Sequence, residues 1–183
     1  MTPEPPRSKR LFFALWPTAA EQAQFHELAR QHRCSEKNRL VAAHRLHLTL
    51  CFLGAVEGEV EVCVRQMAGQ LVWQAFELGF DRLGWFGRPR VLWAGCSTVP
   101  TELNDLVARI QAGLKHCGIE FEQRKYQPHI TLARKVNRPP GQQTTKALTC
   151  YFEKFSLVET RLDENGGSYT TLASWPVRAT DAT

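Results

Sequence analysis

The chain has 183 residues, 43% of them apolar, and its 23 Lys plus Arg against 18 Asp plus Glu leave a formal charge of +5. That length suits one compact domain, or two small lobes sharing a core, and the composition excludes disordered and collagen-like classes. The longest apolar run, Leu11–Trp16, is far short of the ~20 residues of a membrane span. The opening Met-Thr-Pro-Glu-Pro-Pro-Arg has no apolar core of a secretory signal, so a cytoplasmic protein is expected. Six cysteines lie scattered without a CxxC pair or finger spacing, and the expectation is buried, reduced thiols. The basic surplus fits a phosphate-bearing partner.

In chain order, residues 1–9 read as a disordered leader rich in Pro and charge. Arg10–Trp16 is apolar enough for a strand buried on both faces. Thr18 and Glu21 have capping-box spacing, so a helix is predicted to about Arg33, with Ala20, Ala23, Leu28 and His32 recurring along it. Leu46–Leu53 alternates, with Leu46, Leu48, Leu50 and Phe52 on one face and His47, Thr49 and Cys51 on the other. A second helix spans Glu59–Val72. Phe76–Phe86 and Arg90–Ala94 form a hairpin about Gly87-Arg-Pro89.

A third helix, Pro100–Cys117, carries a stripe of Leu103, Leu106, Val107, Ile110 and Leu114, and Gly118 stops it. Short strands are expected at Ile119–Phe121 and His129–Val136, with a surface loop at Asn137–Thr145. Tyr151–Leu162 and Ser168–Trp175 close the chain as two strands about Asn165-Gly-Gly167. A single α+β domain over residues 10–178 is expected, with a tail at 179–183.

One repeat stands out. His47-Leu-Thr49-Leu50 returns 82 residues later as His129-Ile-Thr131-Leu132, each copy on a predicted strand. Residues two apart on a strand share a face, so His47 pairs with Thr49 and His129 with Thr131. Were the two strands to face each other, two imidazoles and two hydroxyls would converge. Imidazole titrates near neutrality, so one ring can take a proton while the other gives one, and hydroxyls can donate to non-bridging phosphate oxygens. Neither strand has an acid, and His-x-Thr is not a metal-site spacing; no metal and no cofactor are expected. GxxxxGK[ST], GxSxG and HExxH are absent.

With these residues in view, the chain resembles the RNA 2′,3′-cyclic phosphodiesterases of bacteria and archaea, a LigT-like branch of the 2H phosphoesterases also described as 2′-5′ RNA ligases. The likeness rests on RLFFALWP, HLTLCFLG, RVLWAG, PHITLAR, FSLVET and YTTLASW and runs from Arg10 to about Trp175. It implies a bilobal α+β fold of two pseudo-symmetric lobes, each an antiparallel sheet with helices, around a cleft. It implies metal-independent opening of an RNA terminal 2′,3′-cyclic phosphate to a 2′-phosphomonoester. His47 would be the general acid on the 3′ oxygen and His129 the base on water. Thr49 and Thr131 would donate to the phosphate, and Arg134 would hold phosphate or the terminal nucleotide. Alternation puts Arg134 on the wrong face unless a strand end or bulge at Ala133 turns it.

The partners that follow are RNA ends with a cyclic phosphate, with no membrane and no obligatory protein partner, for a monomer. Two alternatives remain: 2′-5′ ligation by reversal at the same site, and a non-catalytic RNA-end binder. Tyr126, after Arg124-Lys125, could stack on a base. His26, His32, His44 and His116 read as surface or capping residues, Phe12 and Phe13 as core, one of them with a second reading as a base platform in the cleft, and Arg88 and Arg90 as surface charge.

Overall fold

The computed structural model describes residues 8–32, 39–120, 125–137, 143–161 and 168–177. The elements in order are β1 (Lys9–Leu15), α1 (Ala19–Gln31), β2 (Arg39–Leu40), a 3₁₀ turn (Ala43–Arg45), β3 (Leu48–Val56), α2 (Gly58–Gln70), β4 (Phe76–Phe86), β5 (Val91–Gly95), α3 (Thr101–His116), β6 (His129–Arg134), β7 (Gln143–Phe152), β8 (Lys154–Arg161) and β9 (Ser168–Pro176). One nine-stranded antiparallel sheet runs β7-β4-β5-β6-β3-β1-β8-β9, with β2 added to β6, and its two four-stranded halves join where β3 touches β6. That junction is a single residue pair, Leu48 with Ile130. The expected α+β, two-lobed architecture is the one found.

The repeat is wider than its histidines. β1 and β5 begin 82 residues apart, as do α1 and α3, so a β-α-β unit recurs, ending on β3 in one copy and β6 in the other. Each repeat's helix covers the other repeat's sheet. Helix α1 lies against β6 and β7, and α3 lies against β3; Phe25 of α1 meets Phe80 of β4 edge-on at 5.0 Å.

Sequence accounts for the main elements. Leu11 and Phe13 of β1 join the large core, while Phe12 and Ala14 form a second apolar cluster with Val158 on the other face; both faces are covered, as the unbroken apolar run requires. The Thr18–Glu21 capping box is formed in both directions. On α1 the fully buried positions are Phe25 and Ala29. The α3 stripe is buried throughout.

Several expectations are corrected. Lys9, assigned to the leader, opens β1, and its ammonium pairs with Glu61 at 2.8 Å; residues 1–7 and the tail lie outside the described residues. The single strand expected over Tyr151–Leu162 is, as far as Arg161, parts of two: β7 pairs with β4, and after Glu153 β8 pairs with β1. β7 starts at Gln143, inside the expected loop. It is an edge strand, and such strands tolerate polar sequence. Ile119 and Glu120 form no strand. Gly118 at φ +73° turns the chain back, so the Ile119 amide donates to Leu114 O at 3.0 Å and closes α3. Phe121 and the Asn165-Gly-Gly167 turn lie outside the described residues.

The cysteines are not all reduced thiols. Cys63 of α2 and Cys117, the residue capping α3, form a disulfide with Cα atoms 5.7 Å apart. Linear spacing gives no hint of this bond, because helix packing creates it. Cys51 and Cys150 are free and buried, and Cys96 is free and half-buried; Cys34 lies outside the described residues.

Candidate active site

Leu48 and Ile130 are fully buried where β3 meets β6, so their neighbours project from the opposite face. His47, Thr49, His129 and Thr131 therefore share one cavity of about 610 Å³. The sequence-predicted quartet is brought together. Each imidazole is held alike: Nδ1–H of His47 donates to Arg45 O at 2.7 Å, and Nδ1–H of His129 donates to Gln127 O at 2.8 Å. A carbonyl only accepts, so each ring's Nδ1 carries hydrogen and each Nε2 is left for chemistry.

Arg134 also lines the cavity. The bulge that turns it lies one residue earlier than expected. Between Leu92↔Ala133 and Trp93↔Thr131 the ladder skips Leu132, so Leu132 and Ala133 both face the core and Arg134 returns to the cleft face. The same device occurs in β3, where the ladder skips Leu50 and Leu50 and Cys51 both enter the core. Phe52 is thereby flipped out of the apolar face assigned to it. It is 68% exposed and lines the cavity. Phe52 and Arg134 stand at equivalent places, each five residues after its histidine.

The two imidazoles have different surroundings. Phe12, Trp16 and Tyr169 stand around His47 with ring centroids at 5.0, 5.1 and 5.1 Å. Burial, chiefly, with positive charge from Arg134, His129 and Arg45, takes its pKa down to about 4 against the hydrogen bond to Arg45 O, which raises it. His129 packs against Phe86 edge-on at 5.1 Å and Trp93 at 6.4 Å, and burial lowers its pKa too. Trp93 lies across Gly84 and Gly95, where a Cβ would collide with its indole.

Sequence reasoning did not find Arg39, Arg45, Phe52 or Tyr169 as cavity residues, and Phe12, read as core, lines it as well. The bulge in β3 hid Phe52, and Tyr169 arrives from the far end of the chain. The 82-residue offset, applied beyond the HxT motifs, would have paired Phe52 with Arg134, although strict alternation alone places both away from the histidines. Tyr126 does not line the cavity. Its hydroxyl donates to Thr49 O at 3.0 Å, and the ring packs on the core, so it props β3 from behind. His26 Nδ1 donates to Val41 O at 3.0 Å and steadies the approach to β3.

A profile of the 2′-5′ RNA ligase superfamily matches residues 16–164. The chain belongs to that family. Among its family relatives is the RNA 2′,3′-cyclic phosphodiesterase of Escherichia coli strain K12, 33% identical over 172 residues, covering 91% of this chain and 96% of the relative. Another is the RNA 2′,3′-cyclic phosphodiesterase of Bacillus subtilis strain 168, 30% identical over 132 residues, covering 65% of this chain and 70% of the relative. Family likeness extends to three dimensions. The apo crystal structure of E. coli LigT matches with a TM-score of 0.86 at 30% identity, covering 93% of this chain and 98% of that one. The crystal structure of TT0787 of Thermus thermophilus matches with a TM-score of 0.81 at 27% identity, covering 92% and 98%.

Proposed function

We propose that this protein hydrolyses the 2′,3′-cyclic phosphate at RNA ends to a 2′-phosphomonoester. The observation that carries the reading is the pairing of two Nε2-presenting imidazoles and two threonine hydroxyls on one face of the β3–β6 junction. It is supported by the names of the E. coli and B. subtilis relatives and by the crystallisation of E. coli LigT with 3′-AMP.

His129 Nε2 takes a proton from water as the water oxygen bonds to phosphorus. The bond from phosphorus to the 3′ oxygen breaks, and His47 gives that oxygen its proton, leaving a 3′-hydroxyl. Thr49, Thr131 and Arg134 hold the non-bridging oxygens, where charge accumulates. In the free protein burial keeps His47 largely neutral near pH 7, with its pKa down at about 4, so its acid role depends on a proton taken up with the substrate. His129 is less burdened by neighbouring positive charge and is the better base. The bound phosphate's negative charge offsets Arg134 and Arg45 and helps load the proton on His47.

Both histidines come from one chain, so a monomer suffices. Among the described residues no helix is long and apolar enough to cross a membrane. The cytoplasm is the proposed compartment. The test is incubation, with EDTA present, with an oligoribonucleotide ending in a 2′,3′-cyclic phosphate, followed by product mapping. A 2′-phosphate is expected. A 3′-phosphate, a strict metal requirement, or tight binding without turnover would overturn the reading. A 5′-hydroxyl acceptor strand in the same mixture reports 2′-5′ joining by reversal.

A further inference from the structure

Strand β9 also bulges, and its bulge is held from behind the sheet. The ladder to β8 passes from Leu157↔Ala173 to Val158↔Thr171 and skips Leu172. Trp175 and Tyr169 are six residues apart and would share a face on a regular strand; the skipped residue puts them on opposite faces. Trp175 lies on the core side, with ring centroids 5.3 Å from Phe155 and 6.0 Å from Phe13. Tyr169 lies on the cleft side, 5.3 Å from Phe12 and edge-on to His47 at 5.1 Å, and it lines the cavity. β9 ends the sheet, with β8 as its strand neighbour, so the ladder supports its register from one side.

Helix α2 supplies the other support. Arg65 donates from Nη1 to Leu172 O at 3.1 Å. Its Nε and Nη2 donate to Glu61 Oε1 at 2.9 and 2.7 Å, and Glu61 Oε2 accepts from Lys9 Nζ of β1 at 2.8 Å. Burial would raise the Glu61 pKa, but the hydrogen bonds from Lys9 and Arg65 outweigh it and lower the pKa, so the carboxylate keeps its charge and its hold on the guanidinium. A planar fork locked on one side aims its remaining N–H in one direction, here at the carbonyl of the bulged residue. None of Lys9, Glu61 and Arg65 lines the cavity.

We propose that Arg65 is a positioning residue for the active site: from behind the sheet it fixes the Leu172 bulge and thereby keeps Tyr169 turned into the cleft against His47. This rests on the cyclic-phosphodiesterase reading and adds to it a residue that never meets substrate. The bistable element is the start of β9. With the Trp175 end held and the bulge removed, a one-residue shift turns Tyr169 to the other face. Loss of Tyr169 from the wall opens the His47 ring to water and weakens the burial that lowers its pKa. The other groups about that ring stay in place: Phe12 and Trp16, Arg45 from the turn before it, and His129 and Arg134 from β6.

The test is a double-mutant cycle on kcat/KM for an oligoribonucleotide ending in a 2′,3′-cyclic phosphate, with Arg65→Met, Tyr169→Leu and the two together. Arg65→Met is expected to lower kcat/KM about tenfold, the scale of a hydrogen bond from a charged group, and Tyr169→Leu at least as much. The double variant is expected to match Tyr169→Leu, and the pH optimum of kcat/KM to rise in all three. Lys9→Met is the control: it removes the other partner of Glu61, so it is expected to lower the denaturant midpoint and keep kcat/KM and its pH optimum. Should Arg65→Met not fold, Arg65→Lys takes its place in the cycle with the same expected signs, because an ammonium keeps the charge beside Glu61 without the fork. Wild-type kcat/KM in a folded Arg65 variant overturns the proposal. Losses that multiply in the double variant also overturn it, since the two residues then act apart, and so does an equal loss in Lys9→Met, which reduces Arg65 to a share of general stability. A wild type that opens no cyclic phosphate strikes the underlying reading instead.

Discussion

The two repeats hold their histidines in the same way and surround them differently. Both rings donate from Nδ1 to a carbonyl two residues back, and both strands bulge after the threonine. Beyond that the copies part. One has Arg45 before the histidine and Phe52 after it; the other has Gln127 and Arg134. His47 stands within an aromatic wall near Arg45 and Arg134, whereas His129 packs against Phe86 and Trp93. The lesson is that shared backbone delivers the functional groups, and unshared side chains give each group its own task.

The sharpest way to break that comparison is to remove each imidazole in turn. His47→Ala and His129→Ala are each expected to lower turnover by about 10²–10⁴-fold, the usual range for a general acid or base. A substrate whose 3′ bridging oxygen is replaced by sulfur leaves without a proton, so it should restore most of the loss in His47→Ala and little in His129→Ala. Rescue of the His129 variant instead would reverse the roles. Next in size is the pair five residues on. Arg134→Ala should raise KM about tenfold for loss of a charged phosphate contact, and Phe52→Ala should raise KM less, with kcat little changed; equal kcat and KM in Arg134→Ala would remove it from the site.

Stability divides the back of the molecule from the front. Closing a loop between positions 54 residues apart is worth about 4 kcal/mol in the chain-entropy picture, so Cys63→Ser is expected to lower the denaturant midpoint while folded protein keeps its kcat. An unchanged midpoint would show that the bond adds nothing. The smallest effect is set by pH. His47 has a folded pKa of about 4 against an ordinary value near 6.5, so the unfolded chain binds more protons between those limits. Stability contributed here is full above about pH 6.5 and is lost as pH falls toward 4. His47→Asn should flatten that limb. Because both rings are lowered in the free enzyme, the optimum of kcat/KM should lie below pH 6.5, and that of kcat should lie higher once a phosphate anion is bound.

Much of this was readable beforehand. Strong periodicity on α3, the capping box at Thr18, and the paired His-x-Thr segments carry their own physical signals, and the quartet follows from strand parity plus one repeat. What escaped depended on events that parity does not encode. A bulge at Leu50 moved Phe52 from core to cleft. The bulge needed for Arg134 came at Leu132 rather than Ala133. β7 drew polar edge residues from an apparent loop, and the Cys63–Cys117 bond arose from the packing of α2 on α3, contacts with no local trace. Tyr169 and Arg45 meet over a separation of more than a hundred residues, which no window along the chain can show.

The crossing of helices between repeats ties the halves together: α1 roofs strands that include β6 of the later repeat and α3 packs on β3 of the earlier one, so loosening either helix uncovers apolar surface on the opposite half, and the two halves are expected to unfold in one cooperative step.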